Sequence, residues 1–566
     1  MGRDPSQAAL LIRHFLRGLL ENDLVSPGED LHAPIAAILA AAVTLTGGVC
    51  AIFLAKYNPP KPIPLPQKLA MAVDDKVLLL GGAMVVMALV TLLVWDELSL
   101  DRRDVAFLGP LPVRASTVLF AKTTALAGLA LAFAVALSLP PAVLFPVVML
   151  AYEPVGLGYA LASMAAQALA GLMACAFVFF SMVAARGLVS LVLPVRIARA
   201  VLLGAQCVLI PAFFGILLLL PLLAMLTRPA IEGGSPWALA VPPLWFLGVN
   251  DVLVGRGEPL LAELAAQAIG GAGVAALLAG GTYLIAFRRD LARFRAPVPA
   301  SSASRTLSLR LHGGRPLLVF DPLARASWDF TIATLTRSPR HRLHLLGYLG
   351  AGLALACATV AAAYGGRPDP QMFEPTPVAL AVQFNLLFFL LLGVRLVANV
   401  PADLRAAWLF RFRASEALSR HLAGSRSAIF VCGVAPLLVL LAPVHAWLWG
   451  WYPAAVHAAW GLAFAWLLWT VLFRGYDRLP FTSAAKPGGA RLTNRLWLYL
   501  VGYYVAVYLP AWVEPLALTR PVLAPVWAAL TVVCAAQLRV PEPAASRADR
   551  MPSFDQPAGE IQQLGL

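Results

Sequence analysis

About twelve stretches of this chain are each long and apolar enough to cross a lipid bilayer, and nothing between them resembles a soluble catalytic domain. A transmembrane helix needs about 20 apolar residues to span roughly 30 Å of hydrocarbon. Hydrophobic residues make up 60% of the 566-residue chain and charged residues 13%, whereas soluble proteins carry about 25% charged residues. A soluble fold could not bury so much apolar surface, so the sequence predicts an all-α, polytopic membrane protein.

The predicted spans form two groups of six. The first group is 34–55, 77–95, 117–138, 158–184, 200–226 and 262–287, and the second is 343–364, 378–398, 427–448, 454–473, 496–512 and 521–538. The third span is expected to run into a proline-broken stretch, with Pro140, Pro141 and Pro146, that dips back into the membrane. Broken helices are tolerated where protein rather than lipid surrounds them.

The distribution of lysine and arginine predicts which loops face the cytoplasm. Lysine and arginine accumulate in cytoplasmic loops, which explains the net charge of +14 without nucleic-acid binding. With the N-terminus inside, most of the 43 lysines and arginines fall in inside segments, and the asymmetry persists to the C-terminus. The one exception is the lysine-bearing loop 56–76, whose prolines predict an extended external segment. Both termini are therefore predicted to be cytoplasmic.

The chain is interpreted as a duplication. Asp4-Pro5 and Asp321-Pro322 each open an amphipathic helix, because Asp caps the free N–H groups and Pro suits the first helical position. Six spans follow each helix. Since six is an even number, both halves enter the membrane from the same side, and the repeat is parallel about an axis along the membrane normal. The alternative is a weak likeness between halves that has no functional meaning.

This interpretation divides the chain into four parts. Residues 1–287 form the first six-span half and 321–538 the second. The basic stretch 288–320, which contains a serine-rich run, is a cytoplasmic linker between them. Residues 539–566 form a polar cytoplasmic tail.

Two predicted cytoplasmic loops at equivalent places in the repeat carry the functional argument. The loop after span 2 covers 98–116, and the loop after span 8 covers 402–418. They match in two tripeptides, Ala106-Phe107-Leu108 with Ala407-Trp408-Leu409 and Arg114-Ala115-Ser116 with Arg413-Ala414-Ser415. Each loop predicts a short helix that can lie on the membrane or dock into a groove of a partner. One such loop alone would be interpreted as an ordinary interfacial loop, but two copies at equivalent places favour docking to a partner.

The first of these loops resembles that of a known family. The segment 103–114, which leads into Lys122, is similar to the loop after span 2 of type-2 ABC exporter permeases: a charged residue, an apolar pair, a Leu-Pro-Val step and a basic residue. The external stretch 242–248 and the plan of an amphipathic helix followed by six spans also resemble that family. In the second half, Phe410-Arg411-Phe412 replaces the proline-containing step.

The resemblance implies a bacterial inner-membrane permease that exports a hydrophobic or amphipathic substrate. A separate cytoplasmic ABC ATPase, expected as a dimer, would bind ATP and Mg and drive alternating access, so this chain would be no enzyme itself. Segments 98–116 and 402–418 would be coupling helices, and 4–24 and 321–337 would lie on the membrane surface. The residues expected to contact the ATPase are Arg102, Arg103, Asp104, Leu108, Pro112 and Arg114, with Arg405, Trp408 and Arg413 as the second set. Lipids are the other expected partners.

Secondary transport is one alternative. The chain lacks GxxxxGK[ST], so a driving ATPase would be another polypeptide. Ion-coupled transporters usually carry carboxylates at mid-membrane depth, and the predicted spans contain almost none, with Glu263 at a span edge. Backbone carbonyls can nevertheless bind Na⁺. Arg395 is the one deep cation, and snorkelling to the surface is favoured over a substrate contact.

A lipid-processing membrane enzyme is the second alternative. The external carboxylates show no DxD or HExxH spacing; they are Glu153, Glu232, Asp251, Glu258, Asp369, Glu374 and Glu514. His341 and His344 are three residues apart beside several arginines, which favours an interfacial basic cluster over a metal pair. His445 and His457 are assigned to an outer aromatic belt. Gly270, Gly271, Gly273, Gly280 and Gly281 predict close helix packing.

Overall fold

The long helices predicted from hydropathy are present in the computed structural model of the chain. The structure describes residues 7–20, 32–58, 63–95, 98, 113–150, 156–233, 236–295, 321–364, 374–402, 418–474, 476, 479–482, 492–520 and 529. Regular structure in these residues is helical throughout. The chain divides into two compact units, Met1–Pro299 and Ala300–Leu566.

Within these described ranges, nine helices are long and apolar enough to cross a membrane. They confirm a multi-pass, all-α membrane protein. A shorter apolar helix, Ala42–Tyr57, coincides with the first predicted span, and the last predicted span, 521–538, lies outside the described residues. The arrangement of twelve spans in two parallel halves stays a prediction.

The described residues of the first unit form eight α-helices. They are α1 (Gln7–Leu20), α2 (His32–Tyr57), α3 (Leu65–Leu93), α4 (Ala115–Leu150), α5 (Leu157–Val192), α6 (Val195–Glu232), α7 (Pro242–Leu253) and α8 (Pro259–Arg295), with a 3₁₀ turn at Pro236–Ala240. Helix α3 packs against α5, α6 and α7, and α8 packs against α5 and α7. Leu80, Met87 and Phe246 lie in the resulting core with almost no exposed surface.

Helix α4 is longer than the sequence predicted. It has 36 residues and continues through Pro140, Pro141 and Pro146, so the predicted broken stretch that dips back into the membrane is wrong. Pro141 and Pro146 are buried in the bundle, where packing offsets the roughly 3 kcal/mol that an internal proline costs. At 1.5 Å per residue the helix is about 54 Å long, so one end of it extends beyond the hydrocarbon.

The predicted extended loop 56–76 is also wrong in its second part. Helix α3 begins at Leu65, and Pro66 lies in its first turn, where a missing N–H leaves no helical hydrogen bond unmade. Lys68 and Lys76 are buried on this helix. These two lysines are therefore part of the bundle rather than of an exposed segment.

In the part of the second unit that the structure describes, there are seven α-helices. They are α9 (Pro322–Arg337), α10 (Pro339–Tyr364), α11 (Pro377–Val397), α12 (Leu418–Ile429), α13 (Ala435–Trp449), α14 (Trp451–Leu472) and α15 (Leu492–Thr519), with a π-helical turn, Phe430–Val434, between α12 and α13. Helix α11 is central and packs against α10, α14 and α15. The Asp321 carboxylate accepts a hydrogen bond from the Ala324 N–H at 3.2 Å, as the Asp-Pro motif predicts.

Equivalent helices pair in both units. The amphipathic helix lies on the third span, as α1 on α4 and α9 on α12. The second span packs against the fourth and fifth, as α3 on α5 and α6, and as α11 on α14 and α15. The first span differs, since α2 packs on α4 whereas α10 packs on α11. A duplicated chain would produce such recurring pairs.

Glycines allow close helix approach, but not the glycines that the sequence indicated. A Cβ atom at Gly270, Gly273, Gly280 or Gly281 would meet nothing within 4 Å, and one at Gly271 would meet only side chains. The prediction is therefore wrong for these four glycines, which face open space among the described residues, whereas a Cβ at Gly271 would lie 3.1 Å from the Trp245 ring. Two other glycines allow close packing against a neighbouring backbone. A Cβ at Gly248 would overlap backbone atoms of Leu261, and one at Gly424 would overlap those of Ala324.

The contact between α9 and α12 depends on Gly424. A Cβ there would overlap the Ala324 carbonyl oxygen. Beside this contact, the Thr331 hydroxyl donates to Ser425 Oγ at 3.0 Å, and Ser327 Oγ lies 2.5 Å from His421 Nδ1. Close backbone packing and buried hydrogen bonds thus hold the amphipathic helix α9 against α12.

We expect Gly424→Ala to destabilise the protein by about 1–3 kcal/mol, because overpacking at a rigid backbone contact forces the helices apart. Gly347→Ala is the matched control, since a Cβ there meets nothing and Ala is favoured over Gly within a helix. Thermal unfolding of the purified protein in detergent provides the measurement. Equal melting temperatures for the two variants would contradict the assigned contact.

Candidate functional site

The first unit contains a buried charged cluster where α3 meets the end of α7. Lys76 Nζ lies 2.6 Å from Asp251 Oδ1, and Arg256 Nη1 lies 3.3 Å from Asp251 Oδ2. The Asp251 side chain is 1% exposed. A buried carboxylate is tolerated only when it is paired and hydrogen-bonded, and here two cations from different segments provide the pairing.

The local backbone brings Arg256 back to Asp251. Helix α7 ends at Leu253, and Gly255 follows with a φ of +93°, a conformation that glycine adopts without steric cost. The Arg256 N–H then donates to the Asp251 carbonyl oxygen at 2.9 Å. The same turn directs the Arg256 guanidinium onto the Asp251 carboxylate.

Neutral polar groups extend this cluster into a narrow cleft. The Asn250 amide donates to Gln167 Oε1 at 2.8 Å. Asn250 Oδ1 and Ser163 Oγ are buried and have no hydrogen-bond partner within the described part of the chain. The cleft is lined by Leu69, Lys76, Phe145, Pro146, Met149, Tyr159, Ser163, Gln167, Asn250, Val254 and Arg256. It has room for a water-sized group, so it can orient a small polar group and cannot enclose a whole lipid.

A second ion pair flanks the cleft. Lys56 Nζ lies 2.7 Å from both oxygens of Asp75, and the Tyr57 hydroxyl donates to Asp75 Oδ2 at 2.5 Å. Together with Lys76 and Asp251, these residues tie α2, α3 and α7 at one end of the unit. The sequence prediction treated Asp251 as a scattered external carboxylate, but the structure pairs it with Lys76.

The second unit contains a different polar cluster, formed by four helices. His457 on α14 lies with Nδ1 2.8 Å from Glu514 Oε2 on α15, and both side chains are 0% exposed. Gln383 on α11 donates to the His457 carbonyl oxygen at 2.7 Å. His445 on α13 stacks on Trp449 with ring centroids 4.7 Å apart, and it lies 4.9 Å from the His457 ring.

This cluster corrects two sequence predictions. His445 and His457 were assigned to the outer aromatic belt, but they are 5% and 0% exposed. Trp447 and Trp451, each 78% exposed, do lie on the surface as a belt requires. Glu514 was placed outside the membrane because the predicted span ended at 512, yet α15 continues to Thr519 and buries it. Glu514 is the one charged residue in the stretch 496–518, and this was the signal that could have identified it.

Most residues predicted to contact an ATPase lie outside the described residues; they are Arg102, Arg103, Asp104, Leu108, Pro112, Arg405, Trp408 and Arg413. Arg114 is described and exposed. Its carbonyl oxygen accepts from the Thr117 N–H at 2.9 Å and begins α4. The structure therefore shows the point where the first loop joins its helix, and the predicted contacts stay predictions.

Two other predicted cations have structural roles. The Arg395 guanidinium donates to the Leu472 carbonyl oxygen at 2.8 Å and lies 4.5 Å from the centre of the Tyr476 ring. It joins the end of α11 to the end of α14 and is partly exposed, and the predicted snorkelling stays a prediction. His341 is 1% exposed, with Nε2 3.0 Å from the Val400 carbonyl oxygen, and is a core residue rather than part of an interfacial cluster.

Comparison of the chain with known protein families, with curated proteins and with solved structures finds no match.

We expect Asp251→Asn to destabilise the first unit by about 3–5 kcal/mol, because it leaves Lys76 buried without its counter-charge. The double variant Lys76→Met/Asp251→Asn should recover part of this loss, since both charges are then removed. Arg420→Ala is the control, because the Arg420–Asp321 pair is exposed and 3.9 Å apart, and such pairs contribute about 0–1 kcal/mol. Melting in detergent measures all three. A double variant that recovers none of the stability lost in Asp251→Asn would contradict the assigned interaction.

Proposed function

We propose that the chain is the membrane-spanning permease of an ABC exporter, with two fused, parallel six-span halves. It would move a hydrophobic or amphipathic substrate outward, using ATP hydrolysis by a separate cytoplasmic ATPase dimer. The observation that carries this proposal is a recurring arrangement: in each unit an amphipathic helix lies on the third span, at the end where the loop after the second span returns. A force applied to that loop would reach both helices.

In the first unit, the amphipathic helix α1 contacts the third span, α4, close to the loop after the second span. Lys122 on α4 is 4% exposed, and its Nζ lies 5.4 Å from the centre of the Phe15 ring on α1, a distance suited to a cation–π interaction. Phe15 and Leu11 are buried on the same face of α1. The loop 98–116 leads directly into α4, so its displacement would move α4 and α1 together.

The second unit has a different connection, at the start of its loop after the second span. The Ala402 N–H donates to the Phe481 carbonyl oxygen at 2.7 Å, and the Phe481 N–H donates to the Ala398 carbonyl oxygen at 2.8 Å. The Tyr476 hydroxyl also donates to the Ala398 carbonyl oxygen, at 3.1 Å. These bonds fix the start of the loop 402–418 to the chain after α14. Rigid attachment of this kind favours transmission of a movement between packed elements.

The surfaces of the helices support the proposed substrate class. Large apolar side chains are exposed along α8 and α13, among them Leu277, Val439 and Leu440, and lipid is the solvent that such surfaces require. A substrate that moves along these helices must itself be hydrophobic or amphipathic. The charge asymmetry of the sequence supports a cytoplasmic position for both termini.

We expect an ABC ATPase to co-purify with the chain in mild detergent, and the double variant Arg102→Glu/Arg103→Glu to reduce its recovery at least tenfold. Reversing two charges places carboxylates where the partner is predicted to meet arginines. The control is Arg305→Glu/Arg310→Glu, which makes the same change in the linker. Quantitative mass spectrometry of the purified material gives the ratio of ATPase to permease.

Failure of any ATPase to co-purify, with substrate movement that follows a pH or Na⁺ gradient, would contradict the proposal and favour a secondary transporter. Conversion of a lipid by the isolated chain without ATP would favour the lipid-processing enzyme. Equal loss of ATPase in the coupling-loop and linker variants would show only a general effect of charge.

A further inference from the structure

We propose that the cluster around His457 and Glu514 is a proton-binding site within the second unit, with an internal water among its members. The ligand is a proton that enters from the outer face. This inference goes beyond the proposed export function. Its contacts lie within one unit, and only the side from which the proton enters rests on the proposed orientation of the chain.

The pair joins α14, which carries His457, to α15, which carries Glu514. His457 Nδ1 lies 2.9 Å and 2.8 Å from the two oxygens of Glu514. The Phe384 ring packs edge-on against the imidazole with centroids 5.4 Å apart. Gly461 lets Gln383 approach α14, since a Cβ at that position would overlap the Gln383 amide. The imidazole and the carboxylate are thus held in register by the packing around them.

Complete burial makes this pair sensitive to one proton. With a neutral imidazole and an ionised carboxylate, the cluster carries an uncompensated negative charge in an apolar bundle, which is costly. A proton that binds the imidazole at Nε2 produces an imidazolium next to the Glu514 carboxylate and removes that net charge. Release of the proton returns the charge, so release is favoured only when the cluster opens to water.

Four buried polar atoms next to the pair have no hydrogen-bond partner within the part of the chain that the structure describes. They are His457 Nε2, His445 Nδ1, Trp449 Nε1 and Gln383 Oε1. Folded proteins leave few buried polar atoms unsatisfied, and four in one place indicate an internal water that bonds several of them. The set includes a donor on Trp449 and an acceptor on Gln383, so one water can be oriented to pass a proton to His457.

The cluster lies a short distance below the predicted outer surface. Gly450, with a φ of +88°, forms the turn between α13 and α14, and the exposed rings of Trp447 and Trp451 flank it. His457 is six residues beyond Trp451, about 9 Å along the helix at 1.5 Å per residue. A proton from external water therefore has one to two helical turns to cross.

Few titratable or charged groups face His457 from the helices packed against it. Helix α13 presents His445 to His457, α15 presents Glu514, and α11 presents Gln383 and Phe384. The one charged residue of α11, Arg395, lies twelve residues beyond Gln383 and binds the Leu472 carbonyl oxygen. Among the described residues that contact His457, the titratable side chains are thus His445 and Glu514.

The experiment uses the fluorescence of Trp449, which stacks on His445 and lies 5.7 Å from His457. Protonated imidazole quenches indole, so the difference between the wild-type chain and Trp449→Phe, in detergent, isolates this reporter. We expect the difference signal to change with pH as the cluster takes up and releases its proton. In Glu514→Gln the midpoint of this change should differ from that of the wild-type chain, because the imidazolium has lost its counter-charge.

Glu263→Gln is the matched control, since Glu263 is exposed on α8, and it should leave the midpoint unchanged. Gel filtration and thermal melting establish that each variant is folded. If Glu514→Gln does not fold, His445→Gln takes its place and should keep a pH-dependent Trp449 signal from His457. A flat wild-type signal, an unshifted midpoint in Glu514→Gln, or loss of the titration in His445→Gln would each overturn the proposal. None of these outcomes depends on whether an ATPase co-purifies.

Discussion

Lipid as solvent is the constraint on which the rest of this structure depends, because a polar group inside an apolar bundle must find its partner within the protein. Among the described residues, the chain meets this constraint by pairing its buried charges. Lys76 and Arg256 pair with Asp251 where α3 meets α7, and His457 pairs with Glu514 between α14 and α15. Apolar clusters form the core of each unit around these pairs. Buried ionisable residues in membrane proteins usually mark function.

The two ends of each unit have different roles in this account. At one end, amphipathic helices lie on the third span, and the loops after the second span join helices there; this is the end at which we propose that an ATPase acts. At the other end, charged or ionisable side chains are buried near short turns such as Gly255 and Gly450. A proton site at this second end would let the outer environment influence a cycle that begins at the first. Such coupling requires that both sites favour the same conformational state.

Hydropathy predicted the helices well because a span of about 20 apolar residues is a local property of sequence. The capping of α9 by Asp321 was also predictable from its Asp-Pro motif. The charged clusters were not, since Lys76 and Asp251 are 175 positions apart and no local pattern pairs them. Two predictions based on prolines were wrong. Helix α4 continues through Pro141 because the residue is packed in the bundle, and Pro66 lies in the first turn of α3 rather than in an extended loop. The glycines of α8 misled because spacing does not reveal which face of a helix meets a neighbour.

The central claim is that both units enter the membrane from the same side, with their amphipathic helices and coupling loops in the cytoplasm. Single cysteines in a background without native cysteines test it directly, at Ser116 and Ala402 near the two loops and at Gly257 and Trp451 at the opposite ends. In intact cells, a membrane-impermeant thiol reagent should label Gly257→Cys and Trp451→Cys, and should label Ser116→Cys and Ala402→Cys only after permeabilisation. Labelling of Ser116→Cys and Ala402→Cys from opposite sides of the bilayer would contradict the account.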